Sequence, residues 1–285
     1  MESIKFAKQE YIARICSTKT LVLLFLQAYV IHIYLKPVIR YAEDVNYPPS
    51  PWCFPFLFSN IYFLLLFILG MIYFFSDVPF MQYRNMYQVI RTGRKTWAVG
   101  EILSITFQSV FIMVFQFLVS ILCLLGHCRW ETGWGKLYHT AALTNADEYY
   151  GFLFYFPYEA IQKWEPFQLI VFTLFMGTLV LSFLGILMYT VSLFLNRTIA
   201  VTLGVFIAVM IFIVEGVHPL IRAKIAMFSP ASYLMTALFG TKIHDSPVLP
   251  TINYMITVLV TGILFMAMFI IWNIKKVEFE WSKED

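Results

Sequence analysis

The chain has 285 residues, of which 60% are hydrophobic and only 13% are Asp, Glu, Lys or Arg, and its formal net charge is +3. Soluble domains carry roughly a quarter of their residues as charged side chains, so the composition excludes an ordinary soluble protein. It gives no support for a nucleic-acid partner. We expect one polytopic domain, covering residues 1–285, that is mostly solvated by lipid.

The amino-terminal segment predicts a helix on the membrane surface. Apolar side chains such as Ile4, Phe6 and Ile12 are interspersed with charged ones such as Lys8 and Arg14. This pattern is typical of an amphipathic helix at headgroup depth. A signal peptide is not expected, because no small-residue cleavage site follows a short apolar core.

Six apolar blocks follow, near the roughly 20 residues that a bilayer span requires. They occupy residues 21–35, 55–75, 98–125, 167–195, 199–216 and 253–274. We therefore expect an all-α integral membrane protein with six transmembrane helices.

Lysine and arginine indicate the orientation. The two termini and the loops at 76–97 and 196–198 hold twelve of them, whereas the other three loops are longer and hold eight. The positive-inside tendency then places both termini and the 76–97 loop in the cytosol, in a multi-pass protein of the plasma (cytoplasmic) membrane. Anionic lipid would favour this basic inner face.

The cytosolic segment 76–97 predicts a short helix. Ser76 or Asp77 is suited to cap it, Pro79 fits its first turn and Gly93 its end. Three- and four-residue spacing places side chains in two neighbouring stripes, Phe80, Tyr83, Tyr87 and Ile90, and Arg84, Gln88 and Arg91. Such a helix either rests on anionic headgroups or docks into a groove of a partner protein.

The predicted external loops are rich in proline and aromatic residues. The loop at 127–166 suits either an interfacial aromatic belt that anchors short helices or an exit vestibule for an amphipathic substrate. Residues 231–239 are apolar but too short to cross, which predicts a re-entrant or interfacial helix before the last span. Cys53 and Cys128 both fall outside the cell, so a disulfide between them is an open alternative. The cysteines have no metal-ligand spacing.

Polar side chains within the apolar blocks are candidates for a translocation path, although such groups also join helices by hydrogen bonds. Glu215 suits either a cavity or the external end of its span. Glu101 is interpreted as a favourable charge at a helix amino terminus. The path candidates are Gln27, Asn60, Gln108, Gln116 and Glu215.

The order of these elements resembles an ABC-2 type permease, the membrane subunit of bacterial ATP-binding cassette exporters. The similarity covers essentially the whole chain and includes the amphipathic amino-terminal helix. It also includes Asp77-Val78-Pro79-Phe80, Arg91-Thr92-Gly93-Arg94-Lys95-Thr96-Trp97-Ala98-Val99-Gly100 and Phe228-Ser229-Pro230-Ala231-Ser232.

The resemblance implies that the 76–97 segment is a cytosolic coupling helix and the amino-terminal helix a connecting helix beside it. It implies two partners, an ABC ATPase subunit and either a second copy of this chain or a sister permease, in addition to membrane lipid. ATP and Mg²⁺ would bind the ATPase, because Gly93-Arg94-Lys95-Thr96 lacks the upstream glycine of a phosphate-binding loop. This chain itself is then neither an enzyme nor cofactor-bound. The implied ATPase-docking residues are Asp77, Phe80, Tyr83, Arg84, Tyr87, Arg91, Arg94 and Lys95.

Two other functions compete with this one. A membrane-embedded enzyme acting on lipid or peptide would need a nucleophile and base or a metal set, and no such motif appears. A secondary transporter would be expected to show an internal repeat and coupling acids, which are scarce here. Peptide, lipid, drug and glycan substrates all suit the aromatic external loops.

Overall fold

The computed structural model describes residues 2–78, 89–90, 93–144, 146–243 and 246–276. These residues are overwhelmingly helical, and five of their helices are long and apolar enough to cross a bilayer. The expected class, an all-α membrane protein, is therefore confirmed.

Twelve α-helices have bounds within the described residues, and Val89 and Ile90 are helical as well. The twelve are α1 Glu2–Ile15, α2 Thr18–Asp44, α3 Phe54–Leu57, α4 Ile61–Phe75, α5 Arg94–Leu124, α6 Gly135–Leu143, α7 Ala146–Tyr150, α8 Tyr158–Lys163, α9 Pro166–Phe194, α10 Arg197–Gly216, α11 Pro219–Ala226 and α12 Ile252–Asn273. Short 3₁₀ segments are formed by Pro230–Leu234, Thr236–Leu238 and Ile274–Lys276. Two-residue strands, β1 Lys242–Ile243 and β2 Ser246–Pro247, pair antiparallel.

The helix formed by the first apolar block extends well beyond the predicted end of that block at residue 35. Helix α2 runs through Pro37 to Asp44, although proline usually interrupts a helix because it lacks a backbone N–H. Leu35, Val38 and Tyr41 are buried on one face of this extension. Burial of that face favours the helix where local propensity indicates a loop.

The second apolar block, predicted as one span over residues 55–75, is divided into α3 and α4. The chain turns between them, and the Asn60 side chain accepts a hydrogen bond from the Phe63 N–H at 2.9 Å. This cap satisfies a backbone donor that has no partner within the helix, so α4 begins at Ile61. Its 15 residues measure about 22 Å, less than the roughly 30 Å of a hydrocarbon core.

Polar contacts identify two ends of the helix bundle. At the first, which we call the charged end, the start of α2 meets the end of α4 and the start of α10 through Lys19, Asp77 and Arg197. At the opposite end, the loop end, Asn60 before α4 donates to the Leu153 carbonyl in the loop between α7 and α8. Helix α4 therefore runs between the two ends of the bundle.

Helix α9 lies at the centre and packs against α5, α10 and α12. Small residues make its contact with α5 close. A Cβ built on Gly185 would lie 2.6 Å from the Ile105 side chain of α5. The glycine thus permits tight helix packing of the kind found in membrane bundles.

Helix α1 does not have the exposure pattern expected of a surface helix. Ile4 and Ile12 are exposed, whereas Glu10 and Arg14 are buried, and α1 packs along α5. The Phe6 ring fills the space above Gly100, where an added Cβ would lie 2.4 Å from it. Two of its charged side chains therefore face α5, where Arg14 meets a buried acid, whereas Lys8 is exposed.

The predicted short helix at 231–239 is formed as two 3₁₀ turns. Tyr233 and Leu234 are fully buried, and the Thr236 hydroxyl lies 2.6 Å from that of Thr173 on α9. The segment therefore packs inside the loop end of the bundle.

Candidate coupling face and transport pathway

The charged end is organised around Asp77, two residues after α4. Its carboxylate forms ion pairs with Lys19 on α2 and with Arg197 on α10. The Lys19 ammonium also donates to the Ser76 hydroxyl at 3.1 Å and lies 4.2 Å from the centre of the Tyr73 ring. One acid thus joins three helices where the chain leaves α4 for the predicted coupling segment.

The other end of that segment is also attached to the bundle. Arg94, the first residue of α5, donates to the backbone carbonyl of Lys275 after α12 at 2.9 Å. Lys95 beside it borders an open groove of about 480 Å³ with Trp272 and Lys275. The segment between Asp77 and Arg94 is therefore tied to α2 and α10 on one side and to α12 on the other.

Gly93 lies between the helical residues Val89 and Ile90 and the start of α5. Its N–H donates to the Val89 carbonyl at 2.9 Å, and its φ of 83° is in the left-handed region that favours glycine. Ile90 is exposed and Val89 is buried.

Five of the eight predicted docking residues lie outside the described part of the chain, and Asp77, Arg94 and Lys95 lie within it. The five are Phe80, Tyr83, Arg84, Tyr87 and Arg91.

The five candidates for a translocation path do not form one continuous lining. Asn60 caps α4 at the loop end, and Gln108 donates to Ser104 on its own helix at 2.9 Å. Gln116 on α5 donates to Gln27 on α2. Only this last pair of the five meets across two helices, and it borders a groove of about 180 Å³ between α2 and α4.

Glu215 is paired at the loop end, close to the end of α10. It accepts from Arg222 of α11, whose side chain is 8% exposed against 44% for Glu215. Burial, with the negative charge of Glu215 adding to it, raises the pKa of Tyr155 to about 12, and Arg222 opposes this shift. The structure thus places the acid near the loop end of its predicted span.

The predicted external loop at 127–166 folds into a cap at the loop end. Trp134, Tyr138 and Phe156 are buried and pack around Phe56, whereas Trp130 and Tyr149 are exposed. Some aromatic residues of this loop therefore form a buried core and others lie on the surface. The high aromatic content of the sequence does not indicate which residues belong to which group.

Cys53 lies beneath this cap and is free, as is Cys128. Burial raises the pKa of the Cys53 thiol, and the hydrogen bond between this thiol and Tyr138 opposes the shift. The Tyr138 hydroxyl donates its proton to the Ser50 carbonyl at 2.6 Å. The alternative of a Cys53–Cys128 disulfide is not realised in this structure.

A buried ion pair at Glu101 was not predicted. Glu101 is the eighth residue of α5, and its side chain is fully buried 2.7 Å from the Arg14 guanidinium of α1. Its interpretation as a favourable charge at a helix amino terminus is wrong, because α5 begins seven residues earlier, at Arg94. One signal was available, since Glu101 is the only acid in the block 98–125, but the sequence does not name its partner.

In the described residues, no cluster of three or more His, Cys, Asp or Glu side chains could hold a metal ion. No protein-family model matches the sequence, and no match is found among curated proteins.

Proposed function

We propose that this chain is the membrane-spanning permease subunit of an ABC-2 type exporter, driven by ATP that a separate subunit hydrolyses. The observation that carries the proposal is the double attachment of the 76–97 segment. Asp77 binds the starts of α2 and α10, and Arg94 binds the end of α12. A partner that pushes on the segment would move three helices at once.

Six crossings follow from this proposal, with α4 as the sixth span. It is short, but its two ends contact opposite ends of the bundle. The short helix α3 precedes it at the loop end, and a bilayer can thin locally around a short span. With six crossings, both termini lie on the charged end, which the positive-inside tendency assigns to the cytosol and hence to the bacterial cytoplasmic membrane.

The proposed complex contains two permeases, either two copies of this chain or this chain and a sister, with two ATPase subunits. ATP and Mg²⁺ bind the ATPases. Closure of the ATPase pair pushes the 76–97 segments, and the ion pairs at Asp77 transmit that displacement to α2 and α10. An amphipathic substrate then crosses the membrane as the packing of the two bundles changes.

The test is recruitment of the ATPase. We expect the purified chain alone to show no ATPase activity and to co-purify with a soluble protein that carries a phosphate-binding loop and is encoded beside it. Arg84→Glu with Arg91→Glu is expected to abolish co-purification, because two cations of the docking face become anions.

A matched control reverses two charges at the loop end. Lys136→Glu with Lys224→Glu changes exposed cations by the same amount and should leave recruitment unchanged. Full recruitment in the Arg84 and Arg91 variant would contradict the proposed docking face. Hydrolysis of a lipid or peptide by the isolated chain would contradict the permease assignment itself.

A further inference from the structure

The groove between α2 and α4 opens on the outer surface of the bundle. Leu26 on α2 and Leu66 on α4 border it and are about half exposed. Its walls are almost wholly apolar, and no charged side chain lines it. It is therefore suited to a hydrocarbon chain that enters sideways from the bilayer.

Two carboxamides interrupt this apolar lining. Gln27 is 7% exposed and Gln116 is 1% exposed, and they hydrogen-bond to each other. The Nε2 of Gln27 and the Oε1 of Gln116 have no partner in the described residues. One donor and one acceptor thus lie side by side in apolar surroundings, where an unmade hydrogen bond is costly.

The Gln27–Gln116 pair lies deep within the expected membrane-spanning part of α2. Gln27 is nine residues beyond Thr18, the first residue of α2, which corresponds to about 14 Å along the helix. A hydrocarbon core of roughly 30 Å then places the two amides near its centre. Headgroups of resident phospholipids remain at the interface and do not reach this depth.

We propose that the groove binds a long-chain amphiphile through a neutral hydroxyl or amide group, which pairs with Gln27 and Gln116. Such a group has one donor and one acceptor, which matches the two free atoms of the pair. A charged group is disfavoured, because no opposite charge lines the groove to compensate its burial. The proposal rests on the transport function and assigns its substrate class.

The Gln27 amide packs against Gly70 of α4. A Cβ built on Gly70 would lie 2.8 Å from the Gln27 Nε2 and 3.2 Å from the Leu23 side chain. The absence of a side chain at Gly70 therefore leaves room for this amide between α2 and α4. Rotation of the Gln27 side chain then presents its amide to the groove.

Photolabelling of the purified full-length chain tests the site. The probe is a long-chain alcohol that carries a diazirine at mid-chain, and the matched probe is the alkane with the same diazirine. We expect the alcohol to label α2 and α4 about five- to tenfold more than the alkane, as one net hydrogen bond provides.

Gln27→Leu with Gln116→Leu should remove this preference. Gln108→Leu is the matched control, because Gln108 is equally buried but does not line the groove. Leu66→Trp changes an exposed residue at the groove entrance and should reduce labelling by both probes.

Equal labelling by alcohol and alkane in the unmodified chain would overturn the proposal, as would an alcohol preference that survives in the Gln27 and Gln116 variant. Binding is measured without the ATPase. Loss of ATPase recruitment therefore cannot mimic either result, and the two proposals fail separately.

Discussion

Replacement of Arg14 by methionine should destabilise the protein strongly. The change removes the guanidinium that lies 2.7 Å from the Glu101 carboxylate and leaves that acid in a fully buried position. Loss of one partner from a buried ion pair costs about 3–5 kcal/mol. For soluble domains of similar size, 1 kcal/mol shifts the melting temperature by about 2–4 °C, so we expect a decrease of about 6 °C or more.

The assay is thermal unfolding of the purified chain in detergent, followed by the loss of monodisperse protein. Arg14→Met with Glu101→Leu should recover part of the loss, because the fully buried acid leaves the interior together with its cation. Glu10, which is also buried and lies 3.9 Å from Arg14, still loses that contact. Arg129→Met is the matched control, since Arg129 is 69% exposed and 3.6 Å from Glu131. An exposed pair contributes about 0–1 kcal/mol.

Two results would refute this reasoning. One is an Arg14→Met melting temperature within about 2 °C of the unmodified protein, which would correspond to less than about 1 kcal/mol. The other is a double variant less stable than the single one, which would mean that Glu101 does not depend on Arg14.

Three further substitutions test other contacts by the same unfolding assay. Asp77→Asn weakens two partly exposed ion pairs and should lower the free energy of unfolding by about 1–2 kcal/mol. We expect a larger loss of ATP-driven transport, and unchanged transport would contradict the coupling role. Gly185→Ala forces a Cβ to within 2.6 Å of α5 and should cost about 1–3 kcal/mol, whereas Gly133→Ala enters open space and should be neutral. Tyr138→Phe leaves a buried carbonyl without its donor and should cost about 1–3 kcal/mol, whereas Tyr149→Phe changes a side chain that is 83% exposed and should have no measurable effect.

Much of the fold could be predicted because its signals are local. Long apolar blocks mark the helices, and Gly93, just before α5, has a positive φ that glycine adopts most readily. The predicted helix bounds were wrong where tertiary packing opposed the local sequence signals. Pro37 lies inside α2, since the apolar face beyond it is buried, and Asn60 caps α4 inside a block that looked continuous.

The candidate site was less predictable than the fold. Gln27 and Gln116 were expected to line a path, and the structure brings them together, but Gln108 and Asn60 are occupied elsewhere. Nothing in a single helix distinguishes these cases, because an isolated polar residue has the same local pattern whether it faces a groove or its own helix.

The sequence by itself determined that this is an all-α membrane protein, because apolar blocks of about 20 residues cross hydrocarbon as helices, which satisfy their backbone groups internally. It also located the basic segment between α4 and α5. Only the tertiary structure decided which charges meet. Arg14 pairs with Glu101, 87 residues away in the sequence, and Arg197 pairs with Asp77, 120 residues away. The partner of a charged side chain depends on how the helices pack, and no periodic pattern in the sequence indicates it.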